Sequence, residues 1–368
     1  MKILFIAPLP PPVSGNSLAV LVFKEELDKC HQVEIVNFNK KRRTGKLNFL
    51  RRMFEIGRIL LQVVAKKKKA DVIYFSISES VAGNLKDLLI YMICFSKLDK
   101  TIIHLHGGAG LTEILSNKTS LIYKLNHFFI SRLGAIVVLG KTHVPIFKVI
   151  VPEKRIHIIP NFAQDFLFRS QEEISLKFQQ NNLLRILFLS NLIYGKGYNE
   201  LIEAYLSLEQ VDREKIHIDI AGEFGDKNSG IEFLKKIEGY PNISYRGFVG
   251  GEQKKELLQH AHIFCLPTYY PYEGQPISIL EAYASGCVVI TTNHSGIGDV
   301  FVNGINGFEV EKKSPESIKQ ILNKVIEQSN LLPSIGQYNR DLANKKYRTH
   351  IYNNSLKQLV TGFAGGLN

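Results

Sequence analysis

No stretch of this 368-residue chain reaches the ~18 uninterrupted apolar residues that a membrane-spanning helix needs. The N-terminal run Met1-Lys2-Ile3-Leu4-Phe5-Ile6-Ala7-Pro8 has one positive charge and too short an apolar segment for a signal peptide. It reads as a first β-strand, and the protein is expected to be made and kept in the cytoplasm. Cysteine is scarce: Cys30, Cys94, Cys265 and Cys287 lie far apart with no CxxC spacing, which excludes a metal or redox pair of that kind and points to buried, reduced thiols. No Asp-x-Asp stands at a strand end, since Asp226-Lys227-Asn228 is a different pattern, and metal independence is expected. Short repeats are missing too, which excludes a solenoid.

What is present is globular. Hydrophobic residues make up 45% and charged residues 22%, values that exclude a disordered or fibrous chain. At roughly 100 to 200 residues per domain the length implies two domains with a cleft between them. The net charge of +12 is a local property, because twelve Lys or Arg between Lys40 and Lys69 meet a single acid, Glu55, and the rest of the chain is close to neutral.

Short β-branched runs alternate with longer helical patterns. In the first half the runs are Ile3 to Ala7, Val33 to Phe38, Val72 to Ile77, Ile102 to Leu105, Ala135 to Leu139 and Ile156 to Ile159. A second series comprises Arg185 to Ser190, Ile216 to Ala221, Ile243 to Arg246, Ile263 to Pro267, Val288 to Thr291 and Gly307 to Val310. Such alternation predicts two parallel sheets covered by helices, an α/β fold. The polar stretch around 166–183 reads as a linker between domains 1–165 and 184–345, and 346–368 reads as a helix able to pack on either. Ligands of such sheets bind beyond the carboxyl ends of the strands.

One segment at such an end concentrates chemistry. After the run ending at Pro267 come Glu273, Gly274, Gln275, Pro276, Ile277, Ser278 and Glu281. A helix expected to start near Pro276 would aim its free N–H groups at the sheet edge, where they bind phosphate, and Gly274 lets a ligand approach the backbone. Glu273 and Glu281 can then accept hydrogen bonds from hydroxyls on either side, which fits one ligand with sugars flanking a diphosphate. A second reading stays open: Ser278 and Glu281 have capping-box spacing. Gly15, between a strand and a helix, similarly admits an ordinary turn with Ser17 as helix cap.

Glu273-x7-Glu281 within EGQPISILEAYASG, followed by Val302-Asn-Gly-Ile-Asn-Gly, resembles the family-4 glycosyltransferases of GT-B fold. So do Gly15, His104-Leu-His106-Gly107-Gly108, Ile159-Pro-Asn161, Ala221-Gly222-Glu223 and the stretch Ser190-Asn191-x4-Lys196-Gly197. The resemblance implies two Rossmann-like domains whose sheets face each other across a cleft, and a retaining transfer from a nucleotide-diphosphate sugar to an acceptor hydroxyl. It places Glu273 on the transferred sugar, Glu281 on the ribose, Lys196 on the diphosphate, Gly15 near the diphosphate or acceptor, and His106 near the sugar. The family's arginine at the Gly-Arg-x4-Lys-Gly motif is Asn191 here, so phosphate binding would lean on Lys196, the helix N–H groups and Arg246. His104, deeper on the same strand, ranks below His106. A nucleotide-sugar epimerase of the same shape and an inactive nucleotide-binding partner subunit are the alternatives.

Within Lys46 to Ala65, apolar Phe49, Leu50, Met53, Phe54, Ile56 and Leu61 interleave with Arg51, Arg52, Glu55 and Arg58 at helical spacing. The apolar face can pack on the sheet, while the flanking charges suit an anionic membrane surface. RNA-binding motifs are missing, so no nucleic acid is expected. A peripheral enzyme at the inner face of the plasma membrane would meet a glycan acceptor carried on a polyprenyl diphosphate, as polysaccharide or O-antigen assembly requires.

Overall fold

The computed structural model describes residues 1–39, 48–179 and 183–364. Lys40 to Lys46 of the basic cluster, and the side chains of Phe49 and Leu50, lie outside what it describes. The chain divides into two compact units, one of residues 1–161 with 350–368, the other of residues 162–349.

Unit 1 is a six-stranded parallel sheet of β1 (Lys2–Ala7), β2 (Gln32–Asn37), β3 (Val72–Ser76), β4 (Thr101–His104), β5 (Ala135–Val138) and β6 (Ile156–Ile158), ordered β2-β1-β3-β4-β5-β6. Unit 2 repeats the plan with β7 (Leu184–Leu189), β8 (Ile216–Ala221), β9 (Ile243–Gly247), β10 (Ile263–Leu266), β11 (Val288–Thr291) and β12 (Gly307–Glu309), ordered β12-β11-β10-β7-β8-β9. Each expected run is a strand with its ends shifted by at most one residue. The α/β reading holds because central strands such as β3, β5, β10 and β11 are buried along their whole length, so they read as unbroken apolar runs.

Strand order reverses between β1 and β3 in unit 1 and between β7 and β10 in unit 2. At such a reversal the flanking loops part in opposite directions and leave a crevice at the carboxyl ends. The loop after β7 carries Lys196 and the loop after β10 carries Glu273, so the topology sets them on the two sides of one crevice.

One expectation about organisation needs correction. Residues 166–183 contain the helix Gln171–Gln179, which belongs to unit 2 rather than to a free linker. Its Ile174 is buried, and Lys177 donates to the carbonyls of Ala261, Ser285 and Gly286 at 2.9, 2.8 and 3.2 Å, capping the C-terminal ends of two other helices of that unit. The C-terminal helix Thr349–Ala364 has its residues from His350 onward in unit 1, where the Tyr352 hydroxyl donates to Ala19 O at 3.4 Å. Three of the thiols are buried and free as expected, but Cys30 is exposed. Among the described residues no helix is long and apolar enough to cross a membrane.

Candidate active site

In unit 2 the loop after β7 turns twice through left-handed backbone, at Gly195 (φ 91°) and Gly197 (φ 89°). Both positions favour glycine, and at Gly197 a Cβ would also lie 2.4 Å from Pro267 O. Between these glycines Lys196 is presented to the loop after β10, where its Nζ donates to Glu273 Oε2 at 2.7 Å. Thr268 Oγ1 donates to the same oxygen at 3.0 Å, and Ser295 Oγ donates to the Glu273 carbonyl at 2.5 Å. Glu273 N donates to Tyr270 O at 3.0 Å, and the Tyr270 ring lies 4.9 Å from Lys196 Nζ. Glu273 is thus a buried carboxylate held by an ammonium and a hydroxyl on one oxygen. Among the described residues its other oxygen, Oε1, has no hydrogen-bond partner.

The helix after this loop spans Ile277–Ala284, with Pro276 as its N-cap and no side chain capping it. The expected start near Pro276 is therefore displaced by one residue, and the first-turn N–H groups, those of Ile277 and Ser278 among them, are not satisfied by a side chain. Gly274, Gln275, Pro276 and Ile277 are buried beside them, while Ser278 is half-buried. The capping-box alternative for Glu281 is not realised. Its Oε1 instead accepts from Lys254 Nζ at 2.6 Å, and Lys254 also donates to Gln164 Oε1 at 2.6 Å. Burial holds the Glu281 carboxyl above the usual carboxylate range, and Lys254 offsets only part of that rise.

Asn191 is exposed in the loop after β7. Arg246 is not brought to Lys196: it sits on the edge strand β9, two strands from β7, and its Nε donates to Asp219 Oδ1 at 2.6 Å. Burial raises Asp219, but His217, 3.5 Å away, and the hydrogen bond from Arg246 hold it below the usual carboxylate range. An arginine so engaged is poorly placed to replace the one missing at Asn191.

In unit 1, Gly15 opens the helix Gly15–Asp28. The cap is Ser14, whose hydroxyl accepts from Ser17 N at 3.2 Å while Ser17 Oγ accepts from Ser14 N at 2.7 Å. Ser17 is the reciprocating third residue, not the cap itself. Asn16 Oδ1 accepts from Ser76 Oγ at 3.3 Å, which ties this helix start to the end of β3 across the reversal point.

His104 closes β4 and His106 follows two residues on, with ring centroids 3.9 Å apart. His104 Nδ1 lies 2.6 Å from the Tyr74 hydroxyl. Among the described residues, His104 Nε2 and both ring nitrogens of His106 are buried without a partner. Burial pushes His104 well below the ordinary imidazole value and His106 down to about 3, so both rings are neutral near pH 7. Glu79 and His143 reach the same edge: a Cβ on Gly107 would lie 1.9 Å from Glu79 Oε1, and one on Gly108 would lie 2.5 Å from the His143 ring. The two glycines exist to admit those side chains.

Lys254, Thr268, Ser295, Glu79 and His143 were not singled out from sequence. Lys254 left a signal, since it falls at i, i+4, i+7 with buried Leu258 and Ala261, where an unpaired lysine would be costly.

Residues 170–342 match the family model "Glycosyl transferases group 1". An uncharacterized glycosyltransferase of Methanocaldococcus jannaschii is 25% identical over 79% of this chain and 72% of that relative. N,N'-diacetylbacillosaminyl-diphospho-undecaprenol alpha-1,3-N-acetylgalactosaminyltransferase of Campylobacter jejuni is 26% identical over 40% of this chain, an alignment that spans little over a third (36%) of the relative. Among solved structures, HepE of Anabaena in complex with UDP-glucose superimposes with a TM-score of 0.74 over 98% of this chain and 100% of its own, at 16% identity.

Proposed function

Because residues 170–342 match the glycosyl transferases group 1 model and the chain has the GT-B fold, we propose that it is a member of that family and moves a sugar, with retention of configuration, from a nucleoside-diphosphate sugar to an acceptor hydroxyl. The observation that carries this reading is the Lys196–Glu273 pair at the mouth of the uncapped helix Ile277–Ala284. Lys196 and the helix N–H groups supply positive charge where a diphosphate would sit. Glu273 keeps Oε1 for a sugar hydroxyl. Glu281, steadied by Lys254, accepts from the ribose.

As the bond from the anomeric carbon to the phosphate oxygen breaks, its electron pair leaves with the nucleoside diphosphate, and Lys196 with the helix terminus stabilises that charge. The acceptor oxygen bonds the anomeric carbon on the same face and passes its proton to the departing phosphate oxygen. His106, neutral and with unpartnered nitrogens, is assigned to hydrogen-bond the sugar. Gly15 and the capped helix start around it are assigned to the diphosphate or acceptor. No metal takes part in these steps.

HepE, which shares the fold, was crystallised with UDP-glucose, and this favours a uridine donor. The undecaprenol in the name of the Campylobacter relative supports a polyprenyl-diphosphate-linked glycan as acceptor, in polysaccharide or related glycoconjugate assembly. Such an acceptor agrees with a peripheral location at an anionic inner membrane face, reached through the basic residues of 40–69. A thermal-shift screen of nucleotide sugars followed by a transfer assay tests the proposal: a UDP-sugar should raise the melting temperature and transfer should survive EDTA. Donor-only conversion without an acceptor would replace it with the epimerase.

A further inference from the structure

The helix Val81–Ile93 of unit 1 is apolar on both faces. Its inward face buries Leu88, Ile90 and Tyr91 together with the polar Asn84, Lys86 and Asp87, and its outward face carries Val81, Leu85, Leu89 and Met92. Leu85, Leu89 and Met92 are 48%, 41% and 58% exposed, and Ala82 is the other exposed residue of the turns between them. No charge interrupts this stripe.

The buried polar groups are satisfied within the protein, so their burial carries no unmet polar cost. Lys86 Nζ lies 3.5 Å over the Phe38 ring and 3.0 Å from Asp87 Oδ1. Asp87 Oδ2 accepts from Ser78 N at 2.7 Å. Asn84 and Asn126 exchange amide hydrogen bonds at 3.0 and 2.8 Å, locking this helix to Leu121–Ile130. That second helix also turns apolar residues outward, Leu121 (71% exposed), Leu125 and Phe128 at i, i+4, i+7. Phe95 and Phe128 stack with ring planes 5° apart, which joins the two stripes. On the other side the helix Asn48–Lys67 packs beside Val81–Ile93 and exposes Met53, Phe54 (78%) and Leu61. Three neighbouring helices thus present apolar residues to solvent, the pattern of an interaction surface rather than scattered exposure.

The surrounding charge identifies the occupant. Cations belong to the same helices and their ends: Arg132 lies 3.8 Å over the Phe128 ring, Lys124 is exposed on Leu121–Ile130, Lys67 Nζ donates to Ile93 O at the end of Val81–Ile93, and Arg58, Lys66, Lys68 and Lys69 lie on or directly after Asn48–Lys67. Two copies of this chain joined through the face would bring these cations together. An anionic lipid surface attracts them and also accepts the apolar side chains below its headgroups. We propose that the outer faces of helices Val81–Ile93 and Leu121–Ile130 insert into the membrane interface, so that unit 1 is seated by apolar side chains as well as by the basic cluster. This deepens the electrostatic adhesion proposed above and does not depend on the sugar-donor site.

The test is flotation of the full chain with phosphatidylcholine vesicles, with and without phosphatidylglycerol, at low salt and at ~1 M salt, where the Debye length is about 3 Å. Bound fraction on phosphatidylglycerol vesicles should persist in part at high salt. The exposed-site variant Leu85→Gln/Leu89→Gln/Met92→Gln should lower that salt-resistant binding about tenfold or more while UDP still raises its melting temperature like the wild type. Replacement of Lys66 to Lys69 by Gln should reduce only the salt-sensitive part. High-salt binding of the triple variant equal to wild type, or binding that salt abolishes completely, overturns insertion. So does a wild-type dimer in sedimentation that the triple variant dissolves, which assigns the face to self-association. Absence of a UDP shift in the wild type would count against the donor site and leave this inference standing.

Discussion

Glu273→Gln keeps the shape of the side chain and its contact with Thr268 while removing the charge that faces Lys196. Loss of one preorganised polar contact to a transition state costs roughly 10²–10³ in turnover, and that loss is expected in a transfer assay with an unchanged circular dichroism spectrum; wild-type turnover would remove Glu273 from the mechanism. Lys254 has a different signature. It is the partner of a buried carboxylate, so Lys254→Ala should destabilise unit 2 by about 3–5 kcal/mol, the cost typical of stranding one member of a buried pair. Lys254→Met with Glu281→Leu should recover most of that stability in urea unfolding without recovering nucleotide binding. At His106 the effect depends on pH. Its folded value of about 3 lies below the ~6.5 of a free imidazole, so the unfolded chain takes up a proton that the folded protein resists. The stability it contributes is full above about pH 6.5 and is lost as pH falls toward about 3. His106→Asn should therefore shrink the acid-side decline in unfolding free energy, and an identical decline would show that the ring is solvated. Glu273, Lys196 and Glu281 were legible in the sequence because motif and spacing mark them. Lys254 was not, because the pairing that explains a lysine on an apolar stripe involves a residue 27 positions away.

Among elements, the strands were readable because a run such as Val288–Thr291, buried on both faces, has no reason to alternate. The segment 166–183 was not, because the helix Gln171–Gln179 buries little beyond Ile174 and gains its place through Lys177, whose partners are backbone carbonyls that leave no mark in sequence. The helix Val81–Ile93 was opaque for the opposite reason: its apolar stripe reads as a core face, and only the contacts of Lys86 and Asp87 reveal that it points outward. The loop that presents Lys196 offers a test at this scale. Gly197→Ala would place a Cβ against Pro267 O in left-handed backbone, a strain of about 1–2 kcal/mol before the clash is counted. Nucleotide affinity should fall with it, although the substituted residue carries no charge; unchanged affinity and melting temperature would mean that this loop does not fix Lys196.

For the whole molecule, charge and chemistry are divided between the two units. The basic cluster and the outward apolar helices belong to unit 1, and the Lys196–Glu273 pair belongs to unit 2 at its own point of strand reversal. That separation was partly legible: the concentration of positive charge between Lys40 and Lys69 is plain in the sequence, whereas the apolar surface beside it depends on which way three helices face. Lys196 is proposed to hold the diphosphate of a nucleotide sugar. Calorimetric titration of UDP into the wild type and into Lys196→Gln tests it most directly, with melting temperatures taken to confirm that both are folded. Affinity should be at least about tenfold weaker in the variant, the loss of one charge-assisted contact of about 1.5–3 kcal/mol; equal affinity in a folded Lys196→Gln protein would remove Lys196 from the diphosphate site.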